Sequence, residues 1–143
     1  MKLLLAALLG SLAVAGGSPH VVARAADGAV VADLRLAEPA FGLEYRHSYY
    51  RVPARESFRV RDDGSFELAA VSSPSEAVLD YYEIEGARER RGGWWTLRPA
   101  RPARFDGMAL AATATGRRTL VAGSRRVALW GGGAVHLRLA VER

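Results

Sequence analysis

The chain has 143 residues, half of them hydrophobic, and carries a formal net charge of +5. That length suits one small domain with its own core, and the apolar share excludes global disorder. The absence of cysteine excludes disulfides, thiolate zinc sites, a cysteine nucleophile and a lipoprotein-type anchor.

The positive charge is spread out. Lys2 is the only lysine, and every other basic residue is an arginine. With abundant Ala and Gly, this bias reads as the base composition of a GC-rich genome. Nucleic-acid binding would need a concentrated patch with aromatic platforms. The arginines are scattered among acidic residues, so no nucleic-acid partner is expected.

Met1-Lys2 followed by LLLAALLGSLAVA has the pattern of a secretory signal: a short positive start and a compact apolar run. The run is too short to span a bilayer comfortably. Small residues suited to cleavage stand at Ala13-Val14-Ala15 and at Ala23-Arg24-Ala25. The expected organisation is residues 1–25 as a signal peptide or N-terminal membrane anchor and residues 26–143 as a single β-rich domain. The domain would then be extracytoplasmic, whether periplasmic, at the cell surface or anchored, and would meet the membrane only through its N-terminal segment. Gly16 to Gly28 reads as a linker containing His20, and Val30 to Leu36 as a first strand.

The stretch FGLEYRHSYYRVPARESFRV, Phe41 to Val60, holds most of the possible chemistry. It reads as two strands joined by a proline-containing loop. Alternation puts Phe41, Leu43, Tyr45 and His47 on one face, and Glu56, Phe58 and Val60 on the core face of the second strand. A buried carboxylate needs a partner or a proton. A His47–Glu56 hydrogen bond at the loop end would satisfy both groups. Such a pair is either a working site that moves a proton or holds a polar ligand, or a polar clasp that fixes the loop. The candidate ligand, partner or structural site is Tyr45, His47, Ser48, Tyr49, Arg51, Pro53 and Glu56, with no catalytic residue assigned.

Tyr45, His47-Ser48, Pro53, Glu56 and Phe58 resemble the signature of the bacterial family called domain of unknown function 1850. Two features depart from that pattern. Ala54 stands where valine is common, and SSPSEAVLDYY replaces a Gly-Ala-Gly-like segment. The resemblance implies a companion of tripartite, solute-binding-protein-dependent transporters. Its partners would be the transporter's membrane subunit, the solute-binding protein or a small ligand.

Further on, Asp63-Gly64 signals a tight turn, after which Phe66, Leu68 and Ala70 would face the core. Ser73-Pro74-Ser75-Glu76 reads as a helix start capped by Ser73, with about two turns to Tyr82. Tyr81 and Tyr82 either cover the site or pack, with packing the favoured reading. Gly92-Gly93 precedes a strand at Trp94-Trp95, where alternation leaves one indole exposed unless a loop end buries both. Arg98 to Arg104 reads as a connector. Met108 to Thr115 and the segments flanking Gly123-Ser124 read as strands. Val135, Leu137, Leu139 and Val141 mark a final amphipathic strand with His136 on its polar face.

With His20 in a linker and His136 facing away, no metal site is expected. Ser48 follows His47 on a strand and faces the other way, which argues against a serine triad. No phosphate-binding loop and no cofactor are expected; Gly131-Gly132-Gly133 reads as a flexible turn. The fold class is all-β: a small antiparallel sandwich or open barrel with at most one short helix. The leading functional expectation is an exported, non-enzymatic accessory or binding module. The alternatives are a small enzyme using His47 and Glu56, and a structural envelope protein.

Overall fold

Period-two patterning builds nearly every element of the structure, a computed structural model that describes residues 17–143. The first strands are β1 (His20–Ala25), β2 (Val30–Arg35), β3 (Ala40–Arg46), β4 (Pro53–Val60) and β5 (Phe66–Ser73). One helix, α1 (Glu76–Tyr81), follows. Then come β6 (Gly86–Arg91), β7 (Trp94–Pro99), β8 (Arg104–Phe105) and β9 (Met108–Ala111). The last are β10 (Thr119–Ala122), β11 (Arg125–Ala128) and β12 (His136–Glu142).

They form two antiparallel sheets. The smaller runs β2-β1-β12-β9, and the larger runs β11-β10-β3-β4-β5-β7-β6, with β8 beside β5. The sheets do not close into a barrel, so of the two all-β expectations the sandwich is the one observed.

The main core lies between the sheets. Leu34, Leu43, Phe66, Leu120, Leu129 and Leu139 are almost fully buried there. Phe41 and Phe58, register partners on β3 and β4, stack at 5.0 Å, and Phe66 meets them edge-on at 5.2 and 5.6 Å. A smaller core of Ala54, Val78, Leu79 and Leu97 fastens α1 to the larger sheet.

Several expectations are corrected. The linker is a strand from His20 to Ala25, paired with both β2 and β12. Val21, Val22 and Ala23 are buried in it, and His20 bonds Asp33 at 2.7 Å. The folded unit therefore starts ahead of residue 26, and the Ala23-Arg24-Ala25 motif is part of a central strand. The apolar run and the Ala13-Val14-Ala15 motif lie outside the described residues.

In β5, Ser57 pairs with Ala70 while Phe58 pairs with Leu68, so Ala69 is an extra residue. This bulge reverses the alternation. Phe66 and Leu68 face inward as expected, but Val71 and Ser73 replace Ala70 as the next buried positions.

The helix starts one turn-half later than the sequence signal. Its N-cap is Ser75, without a side-chain cap. Ser73 is fully buried instead; its hydroxyl donates to the Pro53 carbonyl at 2.8 Å and accepts the Ser75 amide at 3.2 Å. Both tryptophans are half-buried rather than one exposed. Trp94 lies under Arg55 and Trp95 under Arg90.

Strand β6 carries no apolar alternation and is exposed throughout. It forms because Gly92 and Gly93, both at positive φ, make a two-residue turn onto β7. At its other end a side chain on Gly86 would fall 2.0 Å from the Arg98 carbonyl oxygen, so only glycine lets the strands close there.

Candidate functional site

The β3–β4 hairpin places its polar residues at one end of the sandwich. Tyr45 pairs with Ala54 and Arg46 with Pro53. Beyond them the loop is closed by His47 N–H to Val52 C=O, 2.8 Å, and Arg51 N–H to His47 C=O, 2.8 Å. His47 continues the inward face of β3 and is 4 % exposed. Glu56 points to the same side, opposite Leu43.

The expected His47–Glu56 hydrogen bond does not form. Val52, not Glu56, stands across from His47. Val52 and Glu56 are four residue steps apart along the chain, roughly 13 Å at strand rise. That span exceeds the combined reach of the two side chains, and Tyr45 occupies the step between.

Glu56 finds other partners. The Tyr82 hydroxyl donates to its Oε1 at 2.5 Å, and Arg118 Nη1 stands 3.9 Å from Oε2. A phenol has one proton to donate. Since Tyr82 gives its proton to Glu56, the hydrogen bond between the Tyr45 and Tyr82 hydroxyls runs from Tyr45 to Tyr82. Arg118 completes the group: its guanidinium covers the Tyr45 ring at 4.8 Å, and its Nε donates to the Ala111 carbonyl at 3.0 Å.

Burial, with the Glu56 carboxylate nearby, pushes the Tyr45 phenol up to about 12. Burial and the same carboxylate push Tyr82 up as well. Both phenols therefore stay protonated at neutral pH and act as donors, not bases.

His47 sits apart from this chain. Its Nδ1 accepts the Tyr50 amide at 3.3 Å, so the neutral ring carries its proton on Nε2. Among the described residues Nε2 has no protein hydrogen-bond partner, and no fully buried side-chain nitrogen or oxygen goes unpaired. Nε2 is therefore in reach of solvent. Burial also holds the ring's pKa below its ordinary value. Tyr81 meets the ring edge-on at 4.8 Å and Tyr50 tilts against it at 5.2 Å.

A cleft of about 500 Å³ opens over these groups, lined by Tyr45, His47, Ser48, Glu56, Tyr82 and Arg118 among others. Its size is that of a small-molecule site. Tyr81, 63 % exposed, flanks it. Tyr49, 75 % exposed, packs edge-on against Tyr50 on the loop outside.

Of the expected site residues, the cleft brings together Tyr45, His47, Ser48 and Glu56. Ser48 is exposed at its rim and bonds no partner to His47's ring among the described residues. Arg51 and Pro53 line a different groove on the outer face of the larger sheet, and Tyr49 lines neither.

Arg118 was not expected here, and Tyr82, for which packing was the favoured expectation, takes the alternative place at the site. Tyr82 ends α1, whose Val78 and Leu79 are buried against the sheet and aim the phenol inward. The Tyr81-Tyr82 pair was the available signal, read as packing. Arg118 follows the Thr113–Arg117 turn and had no signal beyond its proximity to β10.

No protein family, curated protein or solved structure matches the chain.

Proposed function

We propose that the chain is an exported, non-enzymatic binding module that holds a small ligand or a partner loop at the His47 cleft. The carrying observation is how the cleft's polar groups are spent. Tyr45, Tyr82, Glu56 and Arg118 satisfy one another, which leaves His47 Nε2 as a polar point within an aromatic rim. Exposed Tyr81 lines that rim, and exposed Tyr49 and Tyr50 stand on the adjoining loop, Tyr50 against the His47 ring. Large, rigid aromatic rings around few polar points suit recognition.

In this proposal the partner is a tripartite, solute-binding-protein-dependent transporter or its solute-binding protein. The support is the resemblance in Tyr45, His47-Ser48, Pro53, Glu56 and Phe58, together with the signal-like start of the chain. The test is capture from membranes of the producing cell with wild type and with Tyr49→Ser/Tyr50→Ser/Tyr81→Ser. Loss of a transporter component from the variant supports the proposal. Recovery of the same membrane partners by both proteins sinks it.

A second reading, a proton-transferring enzyme, draws support from the same Nε2. With its proton on Nε2 the neutral ring can donate there, and it can accept a proton only at Nδ1 once the Tyr50 amide is released. It would work without Glu56, which is committed to Tyr82. A turnover that is abolished by His47→Asn but survives Glu56→Gln would favour it.

A further inference from the structure

The outer face of the larger sheet carries a second groove of about 490 Å³, at the same end as the His47 cleft but across β3 from it. Register explains its make-up. Thr119, Glu44 and Arg55 lie in one row across β10, β3 and β4, and Ser72 and Thr96 continue that row on β5 and β7. Arg46, Arg51 and Arg117 close the groove at the hairpin end, and Trp94 forms a wall.

Four arginines line the groove against a single carboxylate, Glu44. Glu44 is already shared by Arg126 and Arg55. Arg46, Arg51 and Arg117 have no carboxylate partner among the described residues, and the groove brings these three together. Arg46 Nε donates to the Arg51 carbonyl at 3.1 Å, which draws the two side-chain bases together. The Arg117 guanidinium lies over Trp130 at 5.6 Å.

The backbone adds an independent observation. Arg51 and Arg117 have φ of 60° and 49°, a region that long side chains rarely adopt. Glycine or asparagine would fit both turns without strain, yet arginine occupies both. Strain held at the mouth of a groove points to a role for the side chain there. Guanidinium groups clustered without counter-charge favour an oxyanion, which each can meet with paired N–H donors. The indole of Trp94 and the apolar faces of Pro53 and Ala54 extend the groove past the charged end.

We infer that this groove binds a small organic oxyanion, its carboxylate or phosphate held by Arg46, Arg51 and Arg117 and its apolar body laid against Trp94. The groove shares Tyr45 and Arg46 with the His47 cleft, but the inference does not depend on what that cleft binds.

The test is NMR titration of the full chain, following the Trp94 indole N–H. Probes are benzoate, its neutral analogue benzamide, inorganic phosphate, and vesicles with and without anionic lipid. The test variant is Arg51→Asn/Arg117→Asn, because asparagine tolerates positive φ and keeps both turns. Its thermal melt should be no lower than that of wild type, because asparagine relieves the strain at both turns. The expected result is a saturable shift with benzoate, at least tenfold weaker with benzamide and at least tenfold weaker in the variant. Equal binding of benzoate and benzamide, or equal binding by wild type and variant, overturns the inference. So does the absence of any saturable shift with benzoate. Binding of inorganic phosphate alone overturns the organic-anion class, and binding of anionic vesicles alone makes the groove a membrane contact instead.

Discussion

Tyr82 holds its hydroxyl 2.5 Å from Glu56 Oε1, while His47, on the same side of the hairpin, accepts the amide of Tyr50. One hydrogen bond thus ties the end of α1 to the middle of β4, across 26 residues of chain. It also fixes which groups are left to meet a ligand. Glu56 is 13 % exposed at its side chain, and that donor and Arg118 are its polar partners among the described residues.

Tyr82→Phe should therefore destabilise the fold more than a surface tyrosine would. It removes the hydroxyl that donates to a largely buried carboxylate, and strands the Tyr45 phenol as well. Leaving such groups unpaired costs about 1–3 kcal/mol. For a domain of this size the melting temperature should fall by roughly 4–12 °C. Tyr81→Phe, which keeps the exposed ring against His47, should change it little. In a double-mutant cycle, Tyr82→Phe and Glu56→Gln should be non-additive. Additive effects would mean that the two side chains do not interact.

His47 should give stability a specific pH dependence. Burial lowers its pKa in the folded chain from the ordinary 6.5. As pH falls, the unfolded chain takes up that proton first. The contribution is therefore complete above about pH 6.5 and is lost as pH falls from there toward the lower folded value. His47→Phe keeps a ring against Tyr50 and Tyr81 and has no proton to bind. Melts at pH 7.5 and pH 5 should show a larger acid loss in wild type than in His47→Phe. Equal losses would show that the ring titrates as freely in the fold as out of it.

Ser73→Ala tests the joint between β4 and α1. Ser73 is fully buried, and its hydroxyl serves both the Pro53 carbonyl and the Ser75 amide. Alanine leaves that carbonyl without its donor, at about 1–3 kcal/mol. Because α1 carries Tyr81 and Tyr82, the variant should also perturb the His47 ring, read as a change in its NMR shift. A variant that melts lower but leaves that shift untouched would separate the joint from the cleft.

The hairpins and the inward faces were legible because they depend on local rules. Asp63-Gly64 and Gly123-Ser124 both turn where expected, and Phe41, Leu43, Tyr45 and His47 share a face. What failed depended on distance along or across the sheet. His47 and Glu56 do face the same side, but the length of strand between Val52 and Glu56 keeps their side chains apart. Ala70 was displaced by a bulge that no residue type announces. Strand β6 has no apolar pattern because it is an exposed edge, and charged residues there also discourage pairing with another chain. Strand β1 was hidden by its flanks: Gly-Gly-Ser-Pro before it and Asp-Gly after it read as linker, and its buried run Val21-Val22-Ala23 does not alternate.

That strand yields the sharpest prediction about the N-terminus. β1 sits between β2 and β12, with hydrogen bonds to both. A chain starting at residue 26 would lose Val21, Val22 and Ala23 from the core and detach β2 from its sheet. Each buried valine contributes about 1.5–3 kcal/mol, against a total stability of about 5–15 kcal/mol for a typical domain. Adding the broken pairing, the chain from residue 26 should not fold, whereas one from residue 17 should melt cooperatively. Circular dichroism of the two proteins decides this. The same argument bears on processing in the cell. A cut after Ala25 would destroy the sandwich, so any mature N-terminus should fall ahead of His20. N-terminal sequencing of the protein recovered from its producing cell should read a start before β1. A folded protein starting at Ala26 would mean that β1 is dispensable to the sandwich.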